Sequence, residues 1–186
     1  QSMSEDQKTI IFLDTETTGL LKPDICELGA QPYITEIYCV KLDEKFNMIG
    51  EFQSFFHVPF PLDDFISRLT GITDEMLEDQ PEFVEKYDSL AEFFKGSDIA
   101  VGHNVNFDMD MIKIELRRIG FDYYFPWPKE RHCTVELSFP IENKRLKLSV
   151  LYKMATENLH EGSHRAKADT LATVKCYQWL RKQGLI

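Results

Sequence analysis

No stretch of the 186 residues approaches the roughly 20 consecutive apolar positions that a helix needs to cross a bilayer, so a membrane-spanning helix is not expected. Cysteine is scarce, at four residues, and Cys26, Cys39, Cys133 and Cys176 stand far apart. No Cys-x-x-Cys pair or Cys/His cluster occurs, which excludes a zinc finger and argues for reduced thiols in a cytoplasmic protein. Repeats, low-complexity tracts and linkers are missing as well, and a chain of this length suits one ordinary domain. Gln1-Ser2-Met3 reads as the remnant of a cleaved purification tag. Residues 1–7 are therefore expected to be disordered and residues 8–186 to form the single domain.

Positive charge is also short. Lys and Arg number 21 against 31 Asp and Glu, for a net charge of −10. Taken whole, that balance argues against a polyanionic partner. The acid is not evenly spread, however: residues 1–94 hold 6 Lys+Arg and 20 Asp+Glu, and residues 95–186 hold the remaining 15 and 11. Lys129/Arg131, Lys144/Arg145/Lys147, Lys153 and Arg165/Lys167 could supply a local phosphate-binding surface, although any one cluster is equally a solvated face.

What is abundant is periodic apolar sequence. Lys8 to Thr15 is a short apolar run ending in the turn Thr17-Thr18-Gly19, as a buried central strand requires. Tyr33 to Leu42 and Phe46 to Val58, joined through Asp43-Glu44-Lys45, are rich in Ile, Val, Tyr and Phe and predict an antiparallel meander with it. Helical patterning follows over Asp63 to Leu69, over Thr73 to Glu78 with Thr73 as N-cap, and from Pro81 to Phe94 with Pro81 at the start. Ile99 to Gly102 predicts another strand and Asn106 to Ile119 a helix closed by Gly120. Arg131 to Thr134 reads as the last strand, and Leu146 to Ala155 and Ala166 to Arg181 as the last helices. In the final helix Ala168, Leu171, Ala172, Cys176 and Trp179/Leu180 form the expected apolar face. The fold class is α/β, a mixed central sheet flanked by helices.

Three places concentrate acid where chemistry could use it. Asp14 and Glu16 lie two apart at a strand end, so both side chains leave one face of the sheet. Unpartnered, they would repel one another and resist desolvation, and a cation relieves both, yet Asp-x-Glu alone is equally a solvated strand end. Asp108 follows the turn Gly102-His103-Asn104 at the head of a helix, where a carboxylate also simply complements the dipole. Phe107 beside it favours Asp108 over Asp110, and spacing leaves both open. Asp169 sits among small apolar residues, four residues beyond His164. That histidine stands on the loop Gly162-Ser163, where an imidazole suits a general base and is equally an ordinary surface histidine. Four acids without thiolates or an imidazole set favour Mg²⁺ or Mn²⁺ over zinc and suit attack of water on a phosphodiester.

In order and type, FLDTETTGL (12–20), VGHNVNFDMDMI (101–112) and HRAKADTLAT (164–173) resemble the motifs of the DnaQ-like exonucleases of the DEDDh group. LTGIT (69–73) is similar to that family's nucleotide-contacting segment. The resemblance spans nearly the whole chain and implies a ribonuclease H-like fold with a sheet of about five strands. It implies a catalytic set of Asp14, Glu16, Asp108, Asp169 and His164, with Asp108 chosen over Asp110. It further implies two divalent cations: Asp14 bridges both, Glu16 and Asp169 hold the first, and Asp108 supports the second through water. By the same resemblance His164 deprotonates the attacking water. Thr15, Thr17, Leu20, Thr70, Asn104 and Phe107 are the implied contacts to the 3′-terminal nucleotide.

Two departures stand out. Asp24 to Leu42 is longer than in compact members, with an added segment around Ala30 to Thr35 that suggests a bulged or lengthened strand pair. Thr70 occupies a place where many relatives carry histidine. The activity implied is 3′→5′ hydrolysis of DNA, single-stranded first, to nucleoside 5′-monophosphates. RNA trimming is the alternative, because motif residues do not read the 2′-hydroxyl. A non-catalytic nucleic-acid-binding module would be expected to have lost a site residue, and a small-nucleotide phosphatase would prefer mononucleotide esters. The family includes dimers and polymerase subunits, so a homodimer or a polymerase is an admissible partner, although no clamp-binding motif or interface stripe is present.

Overall fold

The computed structural model describes residues 7–186, so the expected tag remnant and disordered N-terminus fall, except for the exposed Gln7, outside the described residues. Among the described residues five strands form one mixed sheet: β1 (Ile10–Thr17), β2 (Ile34–Leu42), β3 (Met48–Phe55), β4 (Ile99–Gly102) and β5 (Glu130–Cys133), in the order β3-β2-β1-β4-β5. The first three are the antiparallel meander predicted, while β4 pairs parallel to β1 and β5 parallel to β4. Parallel pairing requires crossovers, which the helices supply. These are α1 (Asp64–Thr70), α2 (Asp74–Leu77), α3 (Phe83–Phe94), α4 (Val105–Ile119), α5 (Thr134–Glu142), α6 (Leu148–Thr156) and α7 (Ala166–Lys182).

The alternation of β1 divides the core. Ile11 and Leu13 pack with Leu90 and Phe94 of α3 and Met109, Ile112 and Leu116 of α4. Ile10 and Phe12 pack on the opposite face with Tyr38, Val40 and, from α7, Ala166 and Tyr177. Successive strand residues point to opposite faces, so odd positions of β1 look toward α4 and even positions toward α7. That parity reaches past the core to the acidic strand end.

Three local expectations needed correction. Pro81 precedes α3 rather than starting it: Glu82 is the N-cap, and the Glu85 carboxylate accepts its N–H at 2.7 Å. Helix α5 was not predicted, because Pro140 inside it broke the pattern. The buried face of α7 is Ala166, Thr170, Ala172, Thr173, Cys176, Tyr177 and Leu180, so Ala172, Cys176 and Leu180 lie inside as expected, whereas Leu171 is turned outward at 39% exposure. Two threonines can lie inside because Thr170 and Thr173 donate to the carbonyls of Ala166 and Asp169, at 2.7 and 2.8 Å. In the lengthened stretch before β2, a short 3₁₀ turn, Leu28–Ala30, leads into β2, and the β1–β2 register shifts between Glu16 and Thr17. Arg118 of α4 pins this stretch by donating to the carbonyls of Leu28, Gln31 and Pro32 and stacking 3.6 Å from the Tyr33 ring centroid.

Candidate functional site

Asp14 and Glu16 are even-numbered residues of β1 and therefore lie on the α7 side of the sheet, where Asp169 occupies the first turn of α7. Asp14, Glu16 and Asp169 each present an oxygen, and the three oxygens lie within 4.8 Å of one another. Oδ2 of Asp14 is buried and, among the described residues, has no hydrogen-bond partner. An enclosed carboxylate oxygen lacking any protein donor, beside two further carboxylates, is the donor set a hard divalent cation takes. The residues present therefore fit the implied cations.

Asp108 arrives from the other face. Strand β4 stops at Gly102, so beyond Phe12 the edge of β1 has no ladder partner on that side. Asp108 Oδ1 accepts both the Thr15 N–H at 3.1 Å and the Thr15 hydroxyl at 2.6 Å. The turn that swings α4 into place needs glycine at 102, since a Cβ there would stand 3.1 Å from Val105 Cβ and 3.2 Å from the Leu13 carbonyl oxygen. Asp108 is buried, and Asp110, two residues on, is exposed. The fold thus brings Asp108 to the strand end and leaves Asp110 in solvent. Asp108 lies outside the three-oxygen cluster itself.

The loop before α7 holds both histidines close to Asp169. His164 is exposed, adopts a left-handed φ of 67°, and meets Asp169 only through its backbone N–H, 3.1 Å from Oδ2. The imidazole in contact with Asp169 belongs instead to His160, with Nε2 2.7 Å from Oδ1. A buried glutamate anchors the loop's far end. Glu36 of β2 accepts from Arg165 Nε and Nη2 at 3.2 and 3.1 Å and from the Ala166 N–H at 3.1 Å. Sequence reasoning missed His160 and Glu36, and read Arg165 as a phosphate-binding cation rather than as the partner of Glu36. For Glu36 a signal existed, namely a charge in the otherwise apolar run Ile34 to Val40. His103, within the second motif, spans two buried attachments, Nδ1 2.8 Å from the Thr134 hydroxyl and Nε2 2.9 Å from the Leu146 carbonyl. It ties the end of β4 to α5.

Crowding has an electrostatic consequence. Burial, then the neighbouring Asp108, Glu16, Asp169 and Glu36, hold Asp14 well above the ordinary carboxylate range. Glu16 is pushed up to about 9, by burial and then by Asp169, Glu36 and Asp108, with Arg165 opposing. Burial raises Asp108 to about 7 against the pull of the two Thr15 hydrogen bonds. Asp169 is raised by burial, opposed by His160. Such a group holds protons at neutral pH unless a cation replaces them, so cation binding and proton release are linked.

The expected nucleotide contacts fall into two kinds. Leu20 is 80% exposed, with Asn104 exposed and Phe107 half-buried at the head of α4. Thr15, Thr17 and Thr70 have committed their hydroxyls, Thr15 to Asp108, Thr17 to the Gly19 carbonyl and Thr70 to the Ile66 carbonyl. Thr70 also accepts the Ile72 N–H, which leaves it buried in its own turn.

Residues 11–177 match a family profile described as an exonuclease. The PolC-type DNA polymerase III of Caldanaerobacter subterraneus is 32% identical over 178 residues, which is 94% of this chain and 12% of that protein. The Staphylococcus aureus protein of the same name is 33% identical over 184 residues, 96% of this chain and again 12% of the relative. The chain therefore spans about an eighth of the length of these relatives. Among solved structures, the zinc-bound complex of E. coli ExoI with single-stranded DNA superposes with a TM-score of 0.76 at 21% identity, covering 96% of this chain and 41% of that one. Exonuclease X in complex with 5′-overhanging duplex DNA gives 0.60 at 20% identity, covering 94% and 93%. The ribonuclease H-like fold implied by the motifs is the fold observed. Among the described residues, no helix is long and apolar enough to cross a membrane.

Proposed function

The chain belongs to the exonuclease family whose profile it matches over residues 11–177, and from that premise we propose that it is a 3′→5′ exonuclease releasing nucleoside 5′-monophosphates from DNA, single-stranded DNA foremost. The observation that carries the reading is the meeting of Asp14, Glu16 and Asp169 around an unpartnered Asp14 oxygen. Asp14, Glu16, Asp108 and Asp169 would hold two divalent cations, Mg²⁺ or Mn²⁺. When bound, these supply Lewis-acid charge that acidifies water and offsets the negative charge of the phosphate.

The protein's own part is positioning and proton transfer. His164, exposed on its loop beside Asp169, takes the proton of the attacking water. Leu20, Asn104 and Phe107 meet the terminal nucleotide, Leu20 through an apolar side chain that is 80% exposed among the described residues. Thr17, whose hydroxyl is engaged by the Gly19 carbonyl, contributes main-chain groups, while Thr15 and Thr70, buried with their hydroxyls engaged, act by fixing the backbone around them. Basic residues of the second half, Lys144 to Lys147 and Lys167 among them, take the strand's phosphates, whereas Arg165 is held by Glu36. DNA is favoured over RNA because the relatives are DNA polymerases and the structural neighbours were solved with DNA. Since those relatives are some eight times longer, association with a polymerase is part of the proposal.

A 5′-labelled single-stranded oligonucleotide, as DNA and as RNA, tests this with Mg²⁺, Mn²⁺ or chelator. A metal-dependent ladder shortening from the 3′ end is the expected result, faster on DNA. Cleavage by Asp14→Ala equal to the parent, or no shortening of any oligomer with either metal, would refute it.

A further inference from the structure

His160 lies on the turn between α6 and α7, and its side chain is only 5% exposed, although the neighbouring residues of that turn face solvent. Its ring packs against Tyr152 of α6, centroids 5.4 Å apart at 55°. The ring aims Nε2 at Asp169 Oδ1, 2.7 Å away. An ionised carboxylate, the form a cation requires, only accepts, so against it Nε2 carries the hydrogen and is unavailable as a metal ligand. The second oxygen of Asp169 is held by the His164 N–H. With one donor on each oxygen the carboxylate plane is fixed, and each oxygen keeps a lone pair for a cation.

Resting on the exonuclease reading, we propose that His160 is a positioning residue that fixes Asp169 for the cation, a task separate from the proton transfer assigned to His164. An imidazole suits it because it can donate while neutral, orienting the carboxylate without cancelling the negative charge the cation needs. Lysine or arginine at this place would compete with the cation. The buried side chain, the packing on Tyr152 and the short contact to the same carboxylate that faces Asp14 and Glu16 all point the same way. Groups that orient metal ligands in this manner are worth about 10–100-fold in metal affinity.

The test is calorimetric titration of the full chain with Mn²⁺, for the parent protein, Asp14→Asn, His160→Phe and His160→Gln, with melting curves for each. Phenylalanine keeps the packing on Tyr152 and loses the donor; glutamine returns an N–H donor near the Nε2 position. The expected outcome is Mn²⁺ affinity about 10–100-fold weaker in His160→Phe and largely recovered in His160→Gln. The Mn²⁺ concentration for half-maximal cleavage should rise by the same factor, while the rate at saturating Mn²⁺ changes less. Unchanged Mn²⁺ affinity in His160→Phe, or equal weakening in the glutamine variant, overturns the assignment and leaves the exonuclease reading standing. Equal Mn²⁺ binding by the parent and Asp14→Asn overturns both.

Discussion

Glu36 lies directly opposite Glu16 across the β1–β2 ladder, and the two carboxylates face the same side of the sheet toward different partners. Glu16 joins Asp14 and Asp169, whereas Glu36 receives Arg165 and the Ala166 N–H at the start of α7. Like charges opposed in a ladder repel. Arg165 offsets that repulsion, and in doing so fixes the residue next to His164.

Glu36→Gln is accordingly expected to destabilise the fold by about 2 kcal/mol, less than the ~3–5 of a broken fully buried pair because the Arg165 side chain is 38% exposed. Urea denaturation measures this. Cleavage should slow in parallel as the His164 loop loses its anchor, and wild-type stability together with wild-type rate would contradict the role given to the pair.

The two aspartates of the second motif should separate sharply. Asp108 is buried against Thr15, and Asp110 is exposed. Asp108→Asn is expected to lower the cleavage rate on the order of 10²–10³-fold, the scale of losing one group that stabilises transition-state charge. Asp110→Asn should stay within about twofold, since surface changes away from a site typically cost less than ~0.5 kcal/mol. Steady-state rates on one oligonucleotide decide between them.

Stability should depend on pH in a direction set by the carboxylates. Glu16 has a folded-state pKa of about 9 against an ordinary 4.5, so the folded protein binds the extra proton between those values. Stability contributed by that proton is present below about pH 4.5 and is lost as pH rises toward 9. Asp108, raised to about 7, acts the same way over a lower window. In chelator the melting temperature should therefore fall between pH 6 and pH 8.5. Mn²⁺ should restore it most at the higher pH. A melting temperature that climbs with pH in chelator would contradict the burial of these groups.

Gly162 has a φ of 73°, and a Cβ there would stand 3.1 Å from Ala168 Cβ. Gly162→Ala is expected to cost about 1–2 kcal/mol, since it adds a close contact to a left-handed conformation. The effect should appear first in the loop that carries His160 and His164, as a rise in the Mn²⁺ concentration needed for half-maximal cleavage.

Much of this architecture was legible in the chain because it is written in local periodicity. Strand β1 and its neighbours follow from apolar runs, Thr73 is the N-cap predicted, and Gly120 closes α4 with φ 76°. Helix α5 escaped because its only regular signal is interrupted by Pro140, and Leu171 was assigned inward because Thr170 and Thr173 read as polar until their hydroxyls find carbonyls. The acidic motifs were legible by type and order, whereas the choice between Asp108 and Asp110 rested on resemblance until the turn at Gly102 placed one inside and the other out.

What the sequence determined by itself was which carboxylates stand at strand and helix ends, because two-residue and first-turn spacings are properties of the backbone. Only tertiary structure decided that even positions of β1 face α7, that Glu36 is opposite Glu16, and that His160 rather than the His164 ring touches Asp169. Each of these is a contact between residues distant along the chain or across a loop turn. Such contacts depend on register, strand order and the path of a loop, none of which local spacing encodes. The four carboxylates were thus readable as a set, and the residues that hold them in place were not.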